Sequence, residues 1–299
     1  MYMSKKVRLE VWKTYKIFIG GQFPRTESGR TYPVKNSKGK IIANACLSSR
    51  KDLRDAVVAA RTALGSWSNR SGFNRGQILY RVAEMLEGRK VQFIEELLAM
   101  GLTESAANKE TTNSIDRLIY YAGWCDKFQA LFSSVNPVAS PHHNFSVPEP
   151  SGVIAAIAPE KNPLLGIVSL IAPAIAGGNT LVLLASEKQP LSSVSFAEVL
   201  HSSDVPGGVV NILTGNRTEL LEWMGAHKDI NAIIATDLDQ KSWTALQQSG
   251  AKNVKRLFNW DTMEWNSAAA QSPYLIMDLQ EIKTTWHPIQ QISGSGNSY

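Results

Sequence analysis

The groups in this chain that could do chemistry are two thiols, five histidines and a handful of polar residues at the ends of apolar runs. Cys46 and Cys125 are far apart and form no metal-spaced pair. Cys125 sits in GWCDKF with no histidine or other base beside it, and Asp126 would raise its pKa rather than lower it. A reactive thiolate needs an accessible, electropositive setting, so both cysteines are expected to be buried and inert. His142 and His143 are adjacent in a proline-rich loop without further ligands, too little for a metal site. His201, His227 and His287 read as helix-end or strand-end residues, and no Gly-x-Gly-x-x-Gly stands between a strand and a helix. What remains is a set of polar turns after apolar runs: Pro159-Glu160-Lys161-Asn162-Pro163, Ala185-Ser186-Glu187 and Thr236-Asp237-Leu238-Asp239. The first is at minimum a loop into a helix, with Pro163 near the helix's first position.

A run of alternating elements must position those turns. Gly152–Ala158, Thr180–Ala185, Val209–Leu213 and Asn231–Ala235 read as strands without polar alternation. Asn162–Ala176, Ser192–His201 and Glu219–Ala226 read as the helices between them. This order implies a parallel sheet covered on both faces, with right-handed crossovers. Upstream, Tyr15–Phe23 suggests a hairpin about Gly20-Gly21, and Ile41–Cys46 a further strand. Leu53, Ala56, Val57, Ala60 and Leu64 share one helical face behind a Ser48 or Ser49 cap. Two more amphipathic patterns follow, Ile78–Leu86 and Phe93–Leu98, and then an aromatic-rich helix over Ser114–Leu131. Phe145–Pro150 leads into the alternating core. Lys252–Ser272 has no clean period and reads as an ordered linker, Tyr274–Trp286 has strand character, and Ser293–Tyr299 reads as a frayed tail.

Charge and hydropathy exclude some partners. The 31 basic and 26 acidic side chains leave a net charge of only +5. The basic residues cluster at Lys5–Arg8 and Lys252–Arg256, and neither cluster is interleaved with aromatics as a nucleic-acid groove would be. Leu164–Ala176, the longest apolar stretch, is short for a membrane span and contains Pro173. The opening MYMSKKVRLEVWK lacks the apolar run of a signal peptide, and two unpaired cysteines fit a reducing compartment. A cytoplasmic location, no nucleic acid and no membrane are therefore expected.

The stretch Gly152–Ser193, GVIAAIAPEKNPLLGIVSLIAPAIAGGNTLVLLASEKQPLSS, resembles the core of the aldehyde dehydrogenase family. IFIGGQFPRTESGRTYPVKNSKGKIIA is similar to that family's opening hairpins, KDLRDAVVAARTAL to its first helix, and NRGQILYRVAEMLEGRKVQFIEELLAMGLTE to its long helix pair. The likeness covers residues 15–250 and 273–286. It implies an α/β fold, a Rossmann-like parallel sheet with flanking helices plus small oligomerisation β-arms. The implied organisation is a nucleotide-binding domain over residues 1–250, with an oligomerisation strand at 143–152, a linker over 251–272, and an arm and tail over 273–299.

In the family, a Pro-Trp-Asn-aromatic-Pro turn follows the first strand, and its Asn stabilises a developing oxyanion. Ungapped alignment puts Lys161 in that slot, after Pro159. The family's Lys-Pro-Ser-Glu holds the adenosine ribose. Here Glu187 keeps the Glu while Leu184 replaces the Lys, a loss of about 1.5–3 kcal/mol of ribose binding. The family's Phe-Thr-Gly-Ser opens a helix toward the pyrophosphate. Here it reads Ala235-Thr236-Asp237-Leu238-Asp239, without the glycine. Its acids suit a bare helix start but repel an anionic ligand. Pro159, Lys161, Glu187 and Gly215 are thus the residues of a vestigial cofactor site, for no cofactor or for weak NAD(P). The family's second domain lies between the nucleotide domain and the final arm. It carries a Glu-Leu-Gly-Gly base motif and a Gly-Gln-x-Cys nucleophile, and neither motif occurs here. The resemblance therefore assigns no catalytic residue in this chain.

Three functions stay open on this reading. One is a non-catalytic structural or regulatory subunit, since strands with exposed edges need a partner. That partner would be a second copy or a full-length aldehyde dehydrogenase. Another is an NAD(P)-dependent oxidoreductase acting on an aldehyde, completed in trans or with atypical residues. The third is a small-ligand binding module lined by Lys161 and Glu187 at the strands' carboxyl ends.

Overall fold

The amino-terminal runs build a scaffold in the computed structural model, which describes residues 11–289. Strands β1 (Thr14–Tyr15), β2 (Thr31–Lys35) and β3 (Ile41–Cys46) form a small sheet in the order β1-β3-β2. Between β1 and β2, Ile19 and Gln22 exchange backbone hydrogen bonds across Gly20-Gly21. Both glycines have positive φ, and Gly21 packs so close to Gly207 that a Cβ would stand 2.9 Å from its Cα. Four long helices follow: α1 (Arg50–Ser68), α2 (Gly72–Gly88), α3 (Lys90–Ala99) and α4 (Glu104–Trp124). Ser49 is the cap of α1, accepting from the amides of Lys51 and Asp52 while the Asp52 carboxylate returns to the Ser49 amide. The expected helix over Ser114–Leu131 begins earlier, at Glu104, and breaks after Trp124. A short α5 (Phe128–Phe132) resumes the chain's helical course.

The alternating core is as expected in kind. Strands β4 (Ser134–Asn136) and β5 (His142–Pro150) precede β6 (Val153–Ile157), α6 (Leu165–Ala176), β7 (Thr180–Leu184), α7 (Leu191–His201), β8 (Val210–Leu213), α8 (Arg217–Ala226), β9 (Ala232–Ala235) and α9 (Gln240–Ala251). The stretch expected as a linker corrects that reading. Arg256–Asn259 is β10, and it pairs in parallel with β9. Its period was hidden because the strand is only four residues long and partly exposed. Tyr274–Met277 is a helical turn, α10, rather than strand, and β11 (Gln280–Pro288) follows it. His142 and His143 open β5 and so do not lie in a loop. The frayed tail expected at Ser293–Tyr299 and the basic cluster Lys5–Arg8 lie outside the described residues.

The main sheet is wholly parallel, in the order β10-β9-β6-β7-β8. Chain order runs outward from β6 to one side and then returns to β9 on the other. The gap between β6 and β9 at their carboxyl ends is the topological switch point, where open α/β sheets place ligands. Every residue of β6, β7, β8 and β9 is buried, as is all of α6, which is apolar on nearly every face. A second sheet, ordered β11-β5-β4, is antiparallel, with β11 and β5 in register over nine residues from Gln280↔Pro150 to Pro288↔His142. The segment between β10 and α10 is tied down by buried Arg117 of α4, which donates to the carbonyls of Trp265 (2.9 Å) and Ala270 (2.8 Å) and to Ser169 Oγ (2.6 Å).

Candidate functional site

Glu160 and Arg217 meet at the switch point. The loop after β6 carries Glu160, and the first residue of α8 is Arg217. The guanidinium Nε stands 2.9 Å from Glu160 Oε1, with only 12% of the Arg217 side chain and 19% of the Glu160 side chain exposed. Arg217 also donates to the carbonyl of Ala158 at the end of β6, and toward those of Thr236 (3.5 Å) and Asp237 (3.4 Å) after β9. Its side chain thus bridges the two strands that flank the switch point. The Glu160 carboxylate meanwhile accepts from Ser186 Oγ at 2.7 Å and from the amides of Glu187 and Lys188, each at 3.2 Å. Successive backbone amides turned inward form an anion-binding concavity. Here the concavity after β7 holds the protein's own carboxylate.

The other acidic residues are used in the same inward way. Glu187 accepts from Asn216 Nδ2 (3.2 Å) and the Arg217 amide (3.4 Å), so it neutralises the start of α8. Asp237 takes the left-handed backbone conformation, φ 52°, which a short polar side chain tolerates. Its carboxylate accepts from the Glu160 amide at 2.8 Å, tying the loop after β9 to the loop after β6. Asp239 is the N-cap of α9, accepting from the Ser242 amide at 2.7 Å, and that bond holds its carboxyl below the usual range. The Tyr32 hydroxyl is pushed upward, first by burial and then by the negative charge of Glu187 and Glu160.

The residues expected from the sequence are only partly brought together. Lys161 is exposed and lines a cavity of about 300 Å³ with Glu110, Glu160, Asn162 and Gln189. The Pro159 ring packs against Gly166, where a Cβ would stand 2.3 Å from Pro159 Cγ. Gly215, at φ 149°, lets the loop after β8 approach the Ser48 amide, where a Cβ would come within 3.0 Å. Glu187 sits beside the Glu160–Arg217 pair, whereas Pro159 and Gly215 shape the loops around it. Asn162 has φ 57°, and its side chain accepts from Asn266 Nδ2 at 3.1 Å. The role of Glu160 and the whole of Arg217 were missed. One sequence signal could have found them: an arginine at the first position of a helix sits at the positive end of the helix dipole and calls for a carboxylate.

Both thiols are buried. Burial pushes the Cys125 thiol up to about 12, with Asp126 adding to the rise and Arg75 opposing it. Among the described residues no group of three or more His, Cys, Asp or Glu could hold a metal ion. No helix among them is long and apolar enough to cross a membrane.

Comparison with known proteins agrees with this architecture. The model of the aldehyde dehydrogenase family matches residues 24–259. Cytosolic 10-formyltetrahydrofolate dehydrogenase of Mus musculus is 32% identical over 86% of this chain, which spans 29% of that protein. The mitochondrial 10-formyltetrahydrofolate dehydrogenase of Homo sapiens is also 32% identical over 86% of the chain, which spans 28% of it. Among solved structures, the NAD+ complex of aldehyde dehydrogenase from Bacillus cereus superposes with a TM-score of 0.78 at 26% identity, covering 83% of this chain and 50% of that one. HpcC from Thermus thermophilus gives 0.79 at 25% identity, covering 83% and 48%. The chain thus spans about half the length of these solved relatives and less than a third of these two curated ones. With a family match over most of its length, an α/β core of the same form and relatives at this identity, the chain belongs to the aldehyde dehydrogenase family.

Proposed function

We propose that this chain is a non-catalytic member of the family, a structural or regulatory subunit that assembles with itself or with a complete aldehyde dehydrogenase. The observation that carries the reading is the Glu160–Arg217 pair at the switch point. A dinucleotide there would have to displace Glu160 from three donors and Arg217 from the strand-end carbonyls. It would also approach Glu187 and Asp237, whose carboxylates already hold protein amides. The residues present do not fit a dinucleotide. Lys161 is exposed to solvent, and neither cysteine is accessible. The chain also passes from β10 to β11 through residues 260–279 alone, where the family resemblance places a second domain.

The assembly half of the reading rests on the antiparallel sheet. Its outer strand β11 is exposed over most of its length and presents Ile282 and Trp286, each more than half exposed. An exposed edge of nine residues with apolar side chains invites pairing. Calorimetric titration with NAD+ and NADP+ tests the crevice half. No heat up to millimolar concentration is the expected result, and saturable binding would favour a working oxidoreductase instead. Light scattering tests the assembly half, and a monodisperse monomer at micromolar concentration, alone and with a full-length aldehyde dehydrogenase, would sink it.

A further inference from the structure

A cavity of about 580 Å³ lies between the start of α1 and the last turn of α8. That volume is within the range of small-molecule sites. It shares no lining residue with the switch-point network. Its apolar side is Leu53, Ala226 and the indole of Trp223, and its polar side is Arg50, Lys51, Arg54, Ser49 and the single carboxylate of Glu27, three cations to one acid.

The placement of those cations is the unusual feature. Three basic side chains crowd the start of α1, the positive end of the helix dipole, where like charge is unfavourable. Among the described residues only part of that charge is answered. Lys51 pairs with Glu27 at 2.9 Å and Arg54 with Asp55 at 2.8 Å, all four side chains being well exposed. Arg50 has no ion pair among the described residues and lies over the Trp223 ring at 3.9 Å. The helix amides do not supply the attraction, because Ser49 already accepts from those of Lys51 and Asp52. His227 completes the wall. Burial lowers its pKa, with nearby Asp229 opposing and Lys255 and Arg61 adding to the fall. Its Nδ1 accepts the Asp229 amide at 3.2 Å, which leaves Nε2–H as a neutral donor.

We propose that this cavity binds a small planar anion, an aromatic ring carrying a phosphate or a carboxylate. The ring lies against the Trp223–Arg50 stack, and the anionic group sits among Arg50, Lys51 and Arg54. Guanidinium and indole both offer flat faces to an aromatic ring, and a charge-assisted bond to Arg or Lys fixes the anionic end.

The test is calorimetric titration of the full chain with adenosine monophosphate and with 2-naphthoate, using inorganic phosphate as the control. One of the two aromatic anions is expected to bind saturably below millimolar concentration, and which one binds tighter tells phosphate-bearing from carboxylate-bearing ligands. Inorganic phosphate is expected to bind at least about ten-fold more weakly, since it lacks the ring. Arg50→Gln and Arg54→Gln change exposed side chains and should leave the unfolding midpoint in place, while each lowers affinity by about ten-fold. Arg217→Met should leave affinity unchanged, which separates this site from the crevice. No saturable heat with either aromatic anion, equal binding of inorganic phosphate, or a loss of affinity in Arg217→Met without one in Arg50→Gln would each overturn the proposal.

Discussion

Replacing one member of the Glu160–Arg217 pair is expected to destabilise the fold more than replacing both. The two groups stand 2.9 Å apart, with 12% and 19% of their side chains exposed. Removing one partner of a fully buried pair costs about 3–5 kcal/mol, because the survivor is left charged and desolvated. The residual exposure lets water recover part of that, so about 2–4 kcal/mol is the working figure here. Arg217→Met should fall at the lower end, since Glu160 keeps Ser186 Oγ and two amides. Glu160→Gln should fall at the upper end, because the new amide group must turn an N–H toward one of those donors. The double variant leaves no unpaired charge and should lose about 1 kcal/mol, so the two single losses together should exceed the double loss by about 3 kcal/mol or more. For a chain of this size each single variant should lower Tm by about 4–10 °C. Urea unfolding of the four proteins, followed by circular dichroism, measures all three differences. Single variants within about 0.5 kcal/mol of the parent, or strict additivity, would refute the claim that the pair forms a unit.

Three further outcomes follow from other parts of the fold. Cys46 and Cys125 are buried and the Cys125 thiol is raised to about 12, so a thiol reagent such as DTNB should react with neither at mildly alkaline pH until denaturant is added. Fast labelling of either native thiol would contradict this burial. Lys255 is lowered to about 8, chiefly by burial and against the pull of Asp229, so the native state binds fewer protons than the unfolded chain between about 8 and the ordinary lysine value. Stability should therefore rise with pH across that window, and Lys255→Met should abolish the rise; a parent protein that loses stability there relative to Lys255→Met would contradict the sign. Arg117→Met removes the donor to the Trp265 and Ala270 carbonyls, and should expose the 260–272 segment to proteolysis while the main sheet stays protected from hydrogen exchange. Unchanged cleavage would show that Trp260 and Trp265, both buried, hold the segment without it.

The sheet was legible in the sequence because its strands and α6 are buried on every side and read as unbroken apolar runs. β10 was not, since an edge strand of four partly exposed residues leaves no period. Nor was the turn Tyr274–Met277, whose apolar residues suit helix and strand alike. At the site, the sequence shows the acids Asp237 and Asp239 but not what they bond. Only the structure shows that Asp239 caps α9 while Asp237 ties two loops together. The Glu160–Arg217 pair spans a sequence separation that no local motif marks, and it depends on the strand order placing β6 beside β9. Lys161 was the natural candidate by position, and it is exposed at the rim of a cavity that Glu160 also lines, which spacing alone does not reveal.

The most direct test of the proposed loss of cofactor binding is a crystal structure of the chain grown with millimolar NAD+. The account predicts Glu160 still on Ser186 and the two amides, Arg217 still bridging the ends of β6 and β9, and no nucleotide between them. A dinucleotide seated at the switch point, with Arg217 swung away and Glu160 released from the loop after β7, would contradict it.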